Sequence, residues 1–126
     1  MTKRKVNIFG TTGSIGQSTL QVFRGYRDEY DFMAFSAYDN VDQLIKDCLE
    51  FKPRYANIGH EKHFLKLKNA LNDADISLSY GRDALLDLAC TKVDWSMSAI
   101  VGFSGVEISL LCAEHSKICL LYTSPS

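Results

Sequence analysis

The chain has 126 residues, 14 basic against 15 acidic side chains for a formal net charge of -1, and 46% hydrophobic residues. That is one domain's worth of material, with enough apolar content to fold without a disulfide or metal staple and too little excess charge for a disordered chain. The balance also argues against a dedicated nucleic-acid binder, and no apolar run approaches the roughly 20 residues that span a bilayer.

The apolar pattern alternates between two periods along the chain. Residues 6–9 form a short β-rich run closed by Gly10. Its basic lead, Lys3-Arg4-Lys5, reads as a solvated strand start, and the break at Asn7 and stop at Gly10 differ from a signal-peptide core. From Ser14 the spacing becomes helical, with Ile15, Thr19, Val22, Phe23 and Tyr26 on one face. Residues 32–37 read as a second strand. Val41, Leu44, Ile45, Cys48 and Leu49 then give an amphipathic helix ended by Pro53. A third strand over 55–58 precedes a helix over 61–71, with Phe64, Leu67 and Leu71 inward and Lys62, Lys66 and Lys68 in water. Residues 76–80 alternate as a strand that stops at Gly81, and Ala84, Leu85, Leu88 and Ala89 mark a short helix. The last third repeats the unit: a strand over 95–101, a turn over 102–105, a helix over 106–114 and a strand over 118–121. Strand and helix alternating with short connections predict an α/β fold, doubly wound around a mostly parallel sheet.

The most informative segment is Gly10-Thr11-Thr12-Gly13-Ser14-Ile15-Gly16, between the first strand and the first helix. In a G-x-x-G-x-x-G turn, Gly10 allows the tight exit from the strand, Gly13 lets backbone approach a pyrophosphate, and Gly16 lets helix and strand pack closely. The free N–H groups and the dipole at the helix start then favour phosphate, with Thr12 and Ser14 as added hydroxyl donors. A glycine-rich turn capped by Ser14 is the plainer alternative. The order strand, turn, helix, strand favours a Rossmann-like dinucleotide site. Past the second strand, Asp39 stands where an acidic residue accepts ribose hydroxyls, which leans towards NAD; a loop or capping acid before the helix at Val41 explains it equally well.

Other candidates carry less. The strand running into Gly102 and Gly105 would end on the ligand-binding edge of the sheet, although a buried strand with a glycine turn is a sufficient account. His60 and His63 have no second cluster to complete a metal site and read as surface helix residues, and His115 suits a helix C-terminus. Cys48, Cys90, Cys112 and Cys119 lack C-x-x-C spacing and activating partners, so they are expected as reduced core thiols in a cytoplasmic protein.

Three separated segments carry a resemblance. The run from Gly10 through Ser14-Ile15-Gly16-Gln17-Ser18-Thr19-Leu20, the run from Cys48 through Lys52-Pro53-Arg54-Tyr55-Ala56, and the run from Asp94 through Met97-Ser98-Ala99-Ile100-Val101-Gly102-Phe103-Ser104-Gly105 together resemble the N-terminal part of the 1-deoxy-D-xylulose 5-phosphate reductoisomerase family. The resemblance implies an enzyme of non-mevalonate isoprenoid biosynthesis that uses NADPH and a divalent metal, magnesium or manganese, to convert 1-deoxy-D-xylulose 5-phosphate to 2-C-methyl-D-erythritol 4-phosphate. By position, Thr12, Gly13, Ser14 and Ile15 would hold the cofactor's phosphates, Asn40 would lie beside the adenosine ribose, and Ala99, Ile100 and Gly102 would approach the nicotinamide.

Two departures accompany it. Many members have Gly then Lys or Arg before the asparagine, where this chain has Tyr38 and Asp39. The family's last strand continues into Ala-Asn-Lys-Glu, whereas here it runs into Tyr122-Thr123-Ser124-Pro125-Ser126. The expectation is therefore a dinucleotide-binding domain over 1–121, an atypical end over 122–126, and a metal site, sugar-phosphate site and homodimer interface belonging to a longer parent. On that reading the 126 residues alone do not turn over substrate. A non-catalytic dinucleotide-sensing or oligomerisation domain is the alternative.

Overall fold

The computed structural model describes residues 3–99 and 103–121, with side chains in the second segment at 108, 110–116 only. Six strands, β1 (Arg4–Phe9), β2 (Tyr30–Ala37), β3 (Tyr55–Ile58), β4 (Ser77–Tyr80), β5 (Val93–Ser98) and β6 (Ser116–Leu121), form one sheet in the order β4-β3-β2-β1-β5-β6. Every adjacent pair runs parallel. Five helices connect them: α1 (Ser14–Arg24), α2 (Val41–Phe51), α3 (Phe64–Ala70), α4 (Arg82–Ala89) and α5 (Phe103–His115). The strand order reverses direction at β1. Helices consequently cover both faces, and a crevice opens at the carboxyl ends beside β1.

Strand alternation makes the two faces chemically different. Val6 and Ile8 of β1 point towards α1, α2 and α3 and pack with Leu20, Phe23, Leu44, Cys48, Phe51 and Leu67. Four edge-to-face ring pairs link Phe23, Phe32, Phe35 and Phe51 there, each adding about 0.5–1.5 kcal/mol beyond area burial. On the opposite face Phe9 and Ala34 meet Ala89, Ile108 and Cys112 of α4 and α5. The alternation puts the buried Asn7, Ser36, Asn57, Ser96 and Ser98 on this second face, where Phe9 is the one aromatic side chain of the second core cluster.

Several elements differ from the sequence reading. The inward face of α1 is Gly16, Leu20 and Phe23, while Val22 and Tyr26 are 67% and 56% exposed. The rotation follows from Gly16: a Cβ there would lie 2.1 Å from the Gly10 carbonyl oxygen and 2.6 Å from Thr11 Cα, so this face alone rests on the preceding loop. In α2, Leu49 is exposed and Asp47 is buried. Helix α5 begins at Phe103, which shortens the expected turn, and β5 ends at Ser98. Residues 122–126, Ile100 and Gly102 lie outside the described residues, as does the side chain of Cys119. Of the other cysteines, Cys48 and Cys112 are buried as expected, whereas Cys90 is exposed because it falls just past the end of α4.

Two outcomes follow for solution experiments. Burial, with the neighbouring Asp47 charge, pushes the Cys48 thiol up to about 12. Because the thiolate is the reactive form, iodoacetamide at mildly alkaline pH should label Cys90 in the folded chain and leave Cys48 unmodified until denaturant is added, as read by peptide mass spectrometry. Gly16→Ala should cost about 3 kcal/mol in urea unfolding, because backbone rather than a flexible side chain blocks the methyl group. Gly25→Ala, with open space around it and an ordinary φ of -77°, should match the parent or exceed it by up to about 1 kcal/mol.

Candidate functional site

The loop between β1 and α1 is shaped by three glycines with different tasks. Gly10 has φ +82°, a left-handed conformation that turns the chain sharply out of β1. Its N–H donates to the Ser36 carbonyl at 3.1 Å and to Ser36 Oγ at 3.0 Å. The Thr11 N–H and hydroxyl reach the same carbonyl at 2.9 and 3.2 Å, so the loop is anchored on β2. Gly16 carries the helix contact described above. At Gly13, by contrast, a Cβ would meet only the Gly10 oxygen at an ordinary 3.8 Å. Nothing within the fold requires glycine at 13, and the position is exposed on the crevice.

Gly13 is also the N-cap of α1, in extended conformation and without any side-chain cap. Ser14, expected as the possible cap, is instead the first helical residue and is exposed. The first helical hydrogen bond runs from the Gln17 N–H to the Gly13 carbonyl at 2.8 Å. The N–H groups of Ser14, Ile15 and Gly16 therefore precede the helical ladder and are left at its positive end. Glycine at 13 and an uncapped helix start are what a closely approaching anionic phosphate needs.

A buried network holds this loop in place. Gln17 Nε2 donates to the Thr11 carbonyl and to Asp47 Oδ2, both at 2.9 Å, and Gln43 Nε2 donates to Asp47 Oδ1 at 3.0 Å. Burial pushes the Asp47 carboxyl up, and the two amides pull it back. The network ties the phosphate-facing loop to both α1 and α2. Its members lie outside the glycine motif, so the motif gave no sign of them; an acidic residue on the apolar side of α2 was the available signal.

A cleft of about 490 Å³ opens in front of the loop along the carboxyl edge of the sheet. Gly10, Thr12 and Gly13 form one wall, and Ala99, just past β5, reaches it from the next strand. Ala37 and Leu85 supply apolar floor, while Arg82 at the start of α4 lies at the far side. Gly59 and Gly81 end β3 and β4 at the same edge, so glycine follows three of the strands that border the cleft. A larger hollow of about 780 Å³ sits at the opposite edge among Arg24, Arg27, Asp28, Glu29 and Glu50. It has mixed charge and lies at the carboxyl ends of α1 and α2, and parallel sheets bind ligands at the carboxyl edge.

The structure thus brings together Gly10, Thr12, Gly13 and Ala99, with Ser14, Ile15 and Gly16 in the first turn behind them. Beyond β2, Tyr38 lines the cleft and is followed by Asp39 and Asn40. Asn40 is the N-cap of α2, its Oδ1 accepting from the Gln43 N–H at 3.2 Å, so the capping role belongs to Asn40 and not to Asp39. Asp39 Oδ1 lies 2.9 Å from His63 Nε2. His60 and His63, expected as surface residues, are half-buried: the His60 ring packs edge-on against Tyr38 at 4.9 Å between centroids. Among the described residues no group of three or more His, Cys, Asp or Glu side chains forms a metal-binding cluster.

A sequence profile described as 1-deoxy-D-xylulose 5-phosphate reductoisomerase matches residues 6–122. The reductoisomerase of Ruegeria sp. (strain TM1040) is 37% identical over 126 residues, covering 100% of this chain and 32% of the relative. That of Colwellia psychrerythraea is 38% identical, covering 96% and 30%. Among solved structures, the Zymomonas mobilis reductoisomerase in complex with NADPH superposes with a TM-score of 0.92 at 32% identity, covering 97% of this chain and 32% of that one. A reductoisomerase in complex with NADPH, fosmidomycin and magnesium gives 0.80 at 30% identity, covering 87% and 28%. The chain spans about a third of the length of the curated relatives it matches. The profile match over residues 6–122, together with the superposition at a TM-score of 0.92, means that the chain belongs to the 1-deoxy-D-xylulose 5-phosphate reductoisomerase family.

Proposed function

We propose that residues 1–121 are the NADPH-binding domain of a 1-deoxy-D-xylulose 5-phosphate reductoisomerase, acting in non-mevalonate isoprenoid biosynthesis in the cytoplasm. The observation that carries this reading is the uncapped start of α1 behind Gly13, a glycine that the fold itself does not need, facing a cleft on the carboxyl edge. When bound, NADPH supplies the hydride that reduces the rearranged sugar phosphate to 2-C-methyl-D-erythritol 4-phosphate.

This chain's part is to bind and orient. The N–H groups of Ser14, Ile15 and Gly16, with the Thr12 hydroxyl, would hold the pyrophosphate, and Gly13 would let backbone come close enough. Gly10 and Gly16 set the loop for that approach. Asp39 and Asn40 lie at the adenosine end, past β2. Ala99 on the cleft wall, with Ile100 and Gly102 by the family resemblance, would lie at the nicotinamide.

The divalent metal implied by the family does not fit this stretch of chain, whose described residues hold no metal-ligand cluster, and no step is derived through it. Metal, sugar-phosphate substrate and homodimer contacts belong on this reading to the remaining two-thirds of a parent of the relatives' length.

Energy transfer from Trp95, the single tryptophan, gives a direct binding readout. NADPH should bind the chain saturably, and Gly13→Ala should weaken binding at least about tenfold, or ~1.4 kcal/mol, while lowering the unfolding free energy by no more than about 1 kcal/mol. Equal affinity for parent and variant would remove Gly13 from the site.

A further inference from the structure

We propose that His63 sets the coenzyme preference of the cleft by engaging the Asp39 carboxylate. The inference rests on the dinucleotide reading of the cleft and adds a specificity-determining residue to it. A bare carboxylate beyond the second strand accepts ribose hydroxyls and repels a 2′-phosphate, which carries about -1.5 to -2 charges near neutral pH. Asp39 occupies that place, directly after Tyr38 on the cleft wall, and its side chain is 59% exposed.

It is not bare. His63 Nε2 lies 2.9 Å from Asp39 Oδ1, and the His63 side chain, 26% exposed, is held against the fold while the carboxylate leans outward. The meeting is built by the backbone. Past β3, the Gly59 N–H donates to the Ala37 carbonyl at 2.9 Å and the His60 N–H to the Tyr38 carbonyl at 3.1 Å, zipping this connection onto the end of β2. The short 3-10 turn Glu61–His63, closed by the His63 N–H on the His60 carbonyl at 3.1 Å, then swings His63 over Asp39. Only glycine at 59 permits this, since a Cβ would stand 2.5 Å from Tyr38 Cδ1 and 2.9 Å from its carbonyl oxygen.

Of the surrounding acids Asp42 also feels His63, but as the smallest of its influences, after Lys66 and Lys46. On α2, Asp42 is paired with Lys66 of α3 at 2.6 Å, and Lys46 lies one turn further along. Glu61 and Lys62 flank His63 within the turn, the His60 ring is 6.4 Å away, and Arg82 contributes from the start of α4. With His63 on the carboxylate the 2′ end presents no bare anion, and a 2′-phosphate is accepted. Without it, the carboxylate stands alone.

The test is titration of NADPH and NADH against the parent chain and its variants. His63→Gln should weaken NADPH binding about fivefold and change NADH binding less than about twofold. Asp39→Asn added to His63→Gln should return the NADPH to NADH affinity ratio to the parent's value or above. Should His63→Gln fail to fold by circular dichroism, Asp39→Asn alone decides, with a ratio at or above the parent's expected. An unchanged ratio in folded His63→Gln, no recovery in the double variant, or a lower ratio in Asp39→Asn would overturn the proposal while leaving the cleft assignment standing. A parent chain that binds neither dinucleotide overturns both.

Discussion

The contact between Gly16 and the backbone of Gly10 and Thr11 is the constraint from which the rest of the site follows. With no Cβ at 16, the first turn of α1 lies directly on the strand-exit loop, and the helix axis is aimed at the carboxyl edge of the sheet. The free N–H groups of that turn then lie directly behind Gly13 of the cleft wall. Ser36 fixes the loop from the β2 side and the Asp47 network fixes it from the helix side, so the loop is held on both flanks by buried groups. An open helix start is useful for binding only when it is rigid, because affinity is lost in ordering a mobile loop.

The asymmetry of the sheet serves the same end. Aromatic side chains concentrate on the face covered by α1, α2 and α3, where they lock the helices that carry the loop and its supports. The other face is built from small and polar side chains beneath α4 and α5. At the cleft this leaves room: glycine, alanine and serine line the strand ends, and the bulkier Tyr38 and Arg82 stand at its margin. The cleft thus lies at the strand ends, beside the aromatic core rather than within it.

The alternation of periods made the α/β architecture legible, because a parallel sheet needs a helix after each strand, and the glycine spacing marked the loop before any coordinate was known. What the pattern of single elements hid were relations across the chain. The inward face of α1 was misread because Val22 and Tyr26 are apolar and periodic, whereas the residue that fixes the rotation, Gly16, has no hydropathy to count. Cys90 looked like a core thiol by its neighbours, yet one residue past a helix end is enough to expose it. Asp39 gave no sequence sign of its partner, since His63 lies 24 positions away and is brought over by two backbone hydrogen bonds and a glycine. Glycine after β3 and β4, as after β1, was a usable signal: in a parallel sheet those ends share one edge.

The most direct test of the central claim is a map of backbone amide shifts in ¹⁵N spectra as NADPH is added to the chain. The account predicts the largest changes at Gly13, Ser14, Ile15 and Gly16, with a second group at Tyr38 and Asp39, and unmoved signals at Arg27, Asp28 and Glu29 on the opposite edge. Changes centred on that opposite edge, or none at the start of α1 under saturating NADPH, would contradict it.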